Sequence, residues 1–323
     1  MTILPTGLPE IEDAADVVGG GDIDPTTARL LSVGQLQQVL RTARREHLTP
    51  ALRPALEPLS PPNPARLPTL DARASLPIGW GDTGVRAVVV LAAHSGAGAS
   101  TVALAIAEAF ASAGQHVQLV ECAAPARSGL AAATSSELGV DGGGWRRGRR
   151  GDRIEIRRLA GRAASIDDVP PPPHLGGDVA EAQLVIVDAG WPVHDVLGAE
   201  GWISQLVDAA LPVIVCRATV RGVQQAEQVL AALACSVLIA ATGPTRWTRT
   251  VTSSCGLGLR EARRSGRLVS VPVDRHLDVA GLTADPLPKL ILAAGRRLSA
   301  LVPAEPPLAS RAANLQEEQA SAY

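Results

Sequence analysis

An unbroken apolar run, Ala87–Val88–Val89–Val90–Leu91–Ala92–Ala93, passes directly into His94–Ser95–Gly96–Ala97–Gly98–Ala99–Ser100–Thr101, and that turn into the alanine-rich stretch Val102–Glu108. A strand that is apolar at every position is buried on both faces, as in a parallel sheet. A glycine-bearing turn between such a strand and a helix lets successive backbone N–H groups converge on an anion at the helix N-terminus. The pattern G-x-x-x-x-G-K-[ST] for such a loop would place glycine at 93 and lysine at 99, whereas the chain has Ala93 and Ala99. The turn is written in the sequence; its fixed positive charge is not.

With 323 residues, 46% of them hydrophobic, the chain is long enough for one substantial core and additional segments. Aromatic residues make up only 2%, so Ala, Val and Leu must build that core. A formal net charge of −2 argues against a chain-wide polyanion-binding field and leaves room for local basic patches. Lys289 is the only lysine, and the abundance of Ala, Arg, Gly and Pro is the coding signature of a GC-rich genome. Cys122, Cys216, Cys235 and Cys255 lack metal-type spacing and suit a reducing cytoplasm. Neither a secretory leader nor a membrane-spanning run is expected.

Residues 1–31 are acidic, glycine-bearing and without apolar period, which predicts a disordered leader. In residues 32–49, Val33, Leu36, Val39, Leu40 and Ala43 recur at helical spacing behind Ser32, with Arg41, Arg44 and Arg45 near the end; this is an amphipathic helix that packs on the main domain or awaits a partner. The prolines of residues 50–84 predict an extended linker. Residues 85–302 alternate apolar runs with helical segments. Strands are expected at His116–Glu121, Arg153–Leu159, Leu184–Asp188, Leu211–Cys216, Val237–Ala240 and Arg267–Val271. Helices are expected at Leu130–Leu138, Gly222–Leu233 and Pro288–Leu301, with Gly142–Arg150 as a Gly/Arg-rich loop and residues 303–323 as a flexible tail. The alternation implies a doubly wound, mostly parallel sheet in a three-layer α/β sandwich.

Phosphate binding needs converging N–H groups, which Gly96 and Gly98 permit. A magnesium ion needs a hydroxyl after the loop and a carboxylate ending a neighbouring apolar strand; Ser100 and Asp188 are the candidates. Joined to Leu184–Asp188 and Pro192, the loop His94–Thr101 resembles the K-G-G-V-G-K-[ST]-T loop of the ParA/MinD deviant Walker ATPases, over residues 86–302. Glu121–Cys122–Ala123–Ala124–Pro125 stands where that family has D-x-D-P, a stretch that helps position the attacking water. Leu184–Pro192 resembles its hhhhDxxP stretch, and Ser270–Asp274 its late strand near the base. The resemblance implies ATP and Mg2+ as ligands, a nucleotide-sandwiched dimer, and roles in partition, septum placement, conjugation or secretion, of which GC-rich actinobacteria would be a natural host.

The departures bear on activity. The family's dimer-bridging lysine corresponds to His94, its Walker lysine to Ala99, and its second aspartate to Ala123. A charge-assisted hydrogen bond is worth about 1.5–3 kcal/mol, so a loop without both lysines holds a triphosphate weakly and leaves transition-state charge unneutralised. Weak ATP and Mg2+ binding and no cofactor at all are equally open. His94 is either a pH-dependent substitute cation or a polar residue tolerated in a loop freed from catalysis. Asp188 either meets a metal or caps a turn. The leading expectation is a positioning or docking component with weak or absent hydrolysis, its protein partner recruited through residues 32–84. One alternative is an active ATPase in which Arg127 or Arg217 replaces the lysine. Another is a non-specific DNA-binding module using Arg146, Arg147, Arg149 and Arg150, against which stands a merely solvated insertion. Arg246–Trp247–Thr248–Arg249 is a weaker basic patch, and Arg260, Arg263, Arg264 and Arg267 suit a helix end.

Overall fold

A computed structural model describes residues 86–174, 184–233 and 235–303, all of them within one compact unit, Leu67–Tyr323. The leader, the amphipathic helix, the proline-rich linker and nearly all of the tail lie outside the described residues. The apolar run forms β1 (Arg86–Ala92), whose Val88, Val89, Val90 and Leu91 have no exposed surface. It is flanked by β6 (Leu184–Asp188) on one side and β7 (Leu211–Arg217) on the other, both parallel to it. Beyond β6 lie β2 (Val117–Glu121) and β5 (Ile154–Leu159); beyond β7 lie β8 (Leu238–Thr242) and β9 (Leu268–Val271), again all parallel. An antiparallel hairpin, β3 (Ser136–Val140) and β4 (Trp145–Arg150), completes the far edge, so the order is β3-β4-β5-β2-β6-β1-β7-β8-β9.

Two helices cover one face, α1 (Ala99–Ser112) and α8 (Lys289–Ser299). Their axes approach closely because α8 presents Gly295, where a Cβ would stand 2.2 Å from the carbonyl oxygen of Ala105. The opposite face carries α2 (Val193–Gly198), α3 (Trp202–Ala209), α4 (Val220–Ala232), α5 (Arg249–Ser253) and α6 (Leu257–Arg264). A short α7 (Arg275–Ala280), capped by Asp274 accepting from the N–H groups of His276 and Leu277, precedes α8. The chain leaves β1 in one direction, to β2, and leaves β6 in the other, to β7. This reversal at the carboxyl ends of the strands makes the crevice in which doubly wound folds bind ligands. No helix among the described residues is long and apolar enough to cross a membrane.

The expected α/β sandwich is present, but two expectations for its edge are corrected. Leu130–Leu138 is a turn running into β3 rather than a helix, because Leu130 and Ala133 bury themselves under α1 while Ser136 to Val140 pair with the next strand. Gly142–Arg150 is not a loop: Trp145–Arg150 is a strand between β3 and β5, and its arginines survive there because acceptors surround them. Arg150 is 6% exposed; it donates to the carbonyls of Ala133 (2.8 Å), Thr283 and Asp285 (both 2.5 Å) and pairs with Glu108 of α1. On the other face Arg147 and Arg157 both meet Glu155, and Arg157 also meets Asp141.

Candidate phosphate-binding cleft

The turn after β1 is drawn tight by three hydrogen bonds. Ala93 N–H donates to the Val215 carbonyl of β7, Ala97 N–H to the His94 carbonyl, and the Thr242 hydroxyl to the Ala97 carbonyl at 2.8 Å. Gly96 and Gly98 take φ of 72° and 95°, conformations in which a side chain is strained. Gly98 precedes α1 without any side-chain cap, so the N–H groups of its first turn, at Ala99, Ser100 and Thr101, remain the helix's open donors.

The carboxyl ends of β2 and β6 supply two acids. Glu121 and Asp188 are opposite each other in register and 0% and 1% exposed. The Asp188 Oδ2 accepts from Ser100 Oγ at 2.6 Å, whereas its buried Oδ1 has no hydrogen-bond partner among the described residues. Glu121 accepts from the Ser128 hydroxyl and from the N–H groups of Gly129 (2.6 Å) and Leu130 (3.1 Å). Burial, and then the Asp188 charge, push the Glu121 carboxyl up to about 7 despite those bonds. Burial pushes Asp188 up to about 6, opposed by Ser100 and the Gly190 N–H. Two acids held dry and in register beside the cleft make this the candidate functional site.

The loop, Asp188 and the segment Gly190–Pro192 line a cleft of about 810 Å3, within the range of small-molecule sites. All eight residues from His94 to Thr101 line it, together with Asp188. The far wall comes from α4, through Gln225 and Gln228, and from Leu277 and Leu282 around α7. His94 is not aimed at an anion. Its Nε2 accepts from the Arg217 backbone N–H at 3.0 Å, and its Nδ1 lies 2.9 Å from the Ser95 carbonyl. That pattern is satisfied by the neutral Nδ1–H tautomer, because an Nε2–H would face another donor.

Of the two arginines considered as substitutes, Arg127 lines the cleft with its guanidinium 4.2 Å above the Trp191 ring, itself fixed by a 2.8 Å bond from its indole N–H to the Cys122 carbonyl. Arg217 instead donates to the Gly96 carbonyl (3.1 Å) and approaches Asp278 (3.6 Å), bracing the loop from outside. Lys289 is exposed at the start of α8 and does not line the cleft. The four arginines considered for DNA do not form one surface: along a strand they alternate, Arg146 and Arg150 to one face, Arg147 and Arg149 to the other, with Arg150 buried and Trp145 1% exposed. Thr242, which braces the loop from β8, was not anticipated; nothing local in its sequence marks it.

The residues fit a divalent cation in one respect and a phosphate in another. An unpartnered buried carboxylate oxygen beside a hydroxyl is a suitable oxygen donor set for magnesium. The open N–H groups suit a phosphate, but no lysine is present to reinforce them.

No protein-family model matches the chain, and no curated protein matches it. Solved structures do. MinD of Aquifex aeolicus is 14% identical with 67% of this chain and 98% of that one covered, at a TM-score of 0.44. A ParA family ATPase from Chlorobium tepidum is 13% identical with 67% and 99% covered, at 0.42. The septum site-determining protein MinD of Pyrococcus horikoshii, complexed with Mg-ADP, is 12% identical with 67% and 94% covered, at 0.42.

Proposed function

We propose that the chain is a ParA/MinD-like P-loop protein that binds a nucleotide weakly and hydrolyses it slowly or not at all, serving as a positioning or docking component. The observation that carries this reading is the 2.6 Å bond from Ser100 to Asp188 at the mouth of a glycine loop that has alanine at position 99 and, at 94, an imidazole whose Nε2 accepts from the Arg217 N–H. Magnesium, held by Ser100 and Asp188, would offset phosphate charge. The chain's own part is to fix the phosphate by backbone donors, hold the metal's ligands in register across β1, β2 and β6, and keep Glu121 dry behind them. Losing two charge-assisted bonds of about 1.5–3 kcal/mol each weakens triphosphate binding by roughly two to four powers of ten relative to a loop with both lysines. Partner binding is assigned to the amphipathic pattern of residues 32–49 and the proline-rich residues 50–84; with histidine at 94 the cation that would bridge a nucleotide-sandwiched dimer is missing. Four free cysteines accord with a reducing cytoplasm.

Calorimetric titration of Mg-ATP into the full chain, followed by phosphate release on the same sample, tests the reading. The expected result is a Kd weaker than about 100 μM and release at background, by the affinity loss above. Micromolar binding with steady release would overturn it. The second reading, an active ATPase, has one observation in its favour, the placement of Arg127 in the cleft; it requires that such release be lost in Arg127→Ala.

A further inference from the structure

Every carbonyl of the turn from His94 to Gly98 is taken up by a donor of the protein itself. The Ala97 N–H donates to His94, the His94 Nδ1–H to Ser95, the Arg217 guanidinium to Gly96, the Thr242 hydroxyl to Ala97 and the Val102 N–H to Gly98. The N–H groups of Ser95, Gly96, Gly98 and Ala99, by contrast, have no acceptor among the described residues. In a trans peptide the C=O and the N–H point in opposite directions, so whatever holds the carbonyl of one residue also aims the N–H of the next. Of the side chains that donate, His94 is half-buried and Arg217 exposed, whereas Thr242 is 7% exposed and reaches the turn from β8. Its Oγ1 stands 2.8 Å from the Ala97 oxygen and 3.3 Å from that of Cys216, so its one proton goes to the shorter contact. Gly98 lines the cleft and Thr242 does not, so the Ala97 carbonyl is turned out toward β8 and the Gly98 N–H is turned in.

We propose that Thr242 is a positioning residue for anion binding: by holding the Ala97 carbonyl outward, its hydroxyl keeps the Gly98 N–H aimed at a phosphate group in the cleft. This rests on the loop being a phosphate cradle. Without the hydroxyl the Ala97 oxygen is an acceptor at a residue only 1% exposed, and rotating the 97–98 peptide to face the cleft relieves it. Gly98, at φ 95°, has no side chain to oppose that rotation. The rotated peptide shows an anion an oxygen where the N–H had been.

The test is a titration of inorganic pyrophosphate, at constant ionic strength, into the full chain labelled with 15N-glycine. Wild type is compared with Thr242→Val, which keeps the shape of the side chain without its hydroxyl, and with Thr242→Ser, which keeps the hydroxyl. The Gly98 amide proton is expected to move downfield in wild type and in Thr242→Ser with equal affinity. In Thr242→Val that response is lost and affinity falls about tenfold, the worth of one pre-aimed donor. An unchanged Gly98 response and affinity in Thr242→Val overturns the role of Thr242 and leaves the cradle standing. So does a tenfold loss in Thr242→Ser, which folds with the least change and keeps the proposal falsifiable if the valine variant does not fold. No response of Gly96 or Gly98 in wild type overturns the cradle and the role of Thr242 with it.

Discussion

The hairpin edge and the cleft both bury charge, and they treat it in opposite ways. At the edge, Arg150, Arg157 and Arg158 are under a tenth exposed, and each has carboxylates or carbonyls in contact: Glu108 and three carbonyls for Arg150, Asp141 and Glu155 for Arg157, Glu137 and the Ala131 carbonyl for Arg158. In the cleft, Asp188 keeps one oxygen without a partner among the described residues, and burial raises both it and Glu121. A folded chain tolerates as structure buried ions that meet the opposite charge, as Arg150, Arg157 and Arg158 do. Two buried acids in register, with no cation paired to them, cost stability and are the kind of feature that clusters at functional sites. By this measure the arginine-rich segment is scaffold and the acid pair belongs to the candidate site.

Breaking the scaffold should give the largest effect. Arg150→Ala strands Glu108 and three carbonyls, and should cost about 3–5 kcal/mol of stability, read as a lower urea midpoint. If the midpoint barely moves, the edge is not held by that guanidinium. The cleft should respond in the opposite sense. Asp188→Asn relieves a buried charge and should raise stability at pH 7.5 by roughly 1–3 kcal/mol, read as a higher urea midpoint, while abolishing magnesium-dependent ligand binding.

The pH dependence follows from the direction of the shifts. Both carboxyls are raised on folding, Asp188 to about 6 and Glu121 to about 7, so between the unfolded values and these the folded chain holds more protons than the unfolded one. Stability is therefore fully favoured below about pH 4 by this pair and falls as pH rises to about 7, after which it is flat. Asp188→Asn should flatten the curve; a curve that rises over the same window would show the acids to be paired like those of the edge.

Smaller effects separate the two arginines and the histidine around the loop. Arg127→Ala should weaken ADP binding a few-fold and lower stability by no more than about 0.5–1 kcal/mol, the worth of an exposed guanidinium stacked on an indole ring. His94→Ala should cost under about 1 kcal/mol, since it removes a neutral link between Ser95 and Arg217; an ADP affinity that rises sharply below pH 6 and depends on His94 would instead reinstate the imidazole as a cation.

Much of the cleft was legible in the sequence because its elements are local. The run Ala87–Ala93, the glycines at 96 and 98, and Leu184–Asp188 each declare a buried strand or a turn by composition alone. The edge was not legible. Trp145–Arg150 has the composition of a solvated loop, and only pairing with β5, whose Glu155 and Arg157 alternate with Ile154 and Ile156, turns it into a buried strand. The Leu130–Leu138 stretch shows the same limit, its helical spacing being overruled by the partner strand. Glu121 was placed correctly at a strand end, but its burial depends on Ser128, Gly129 and Leu130 folding back over it, a contact no pattern encodes.

The central claim is that the backbone at Gly96–Thr101 holds a phosphate without any lysine. The most direct measurement is the 31P spectrum of ADP titrated with the full chain in magnesium. A shift or broadening of the β-phosphorus larger than that of the α-phosphorus, abolished in Gly98→Val, is the expected result. Identical behaviour of the two resonances, or none in either, would contradict it.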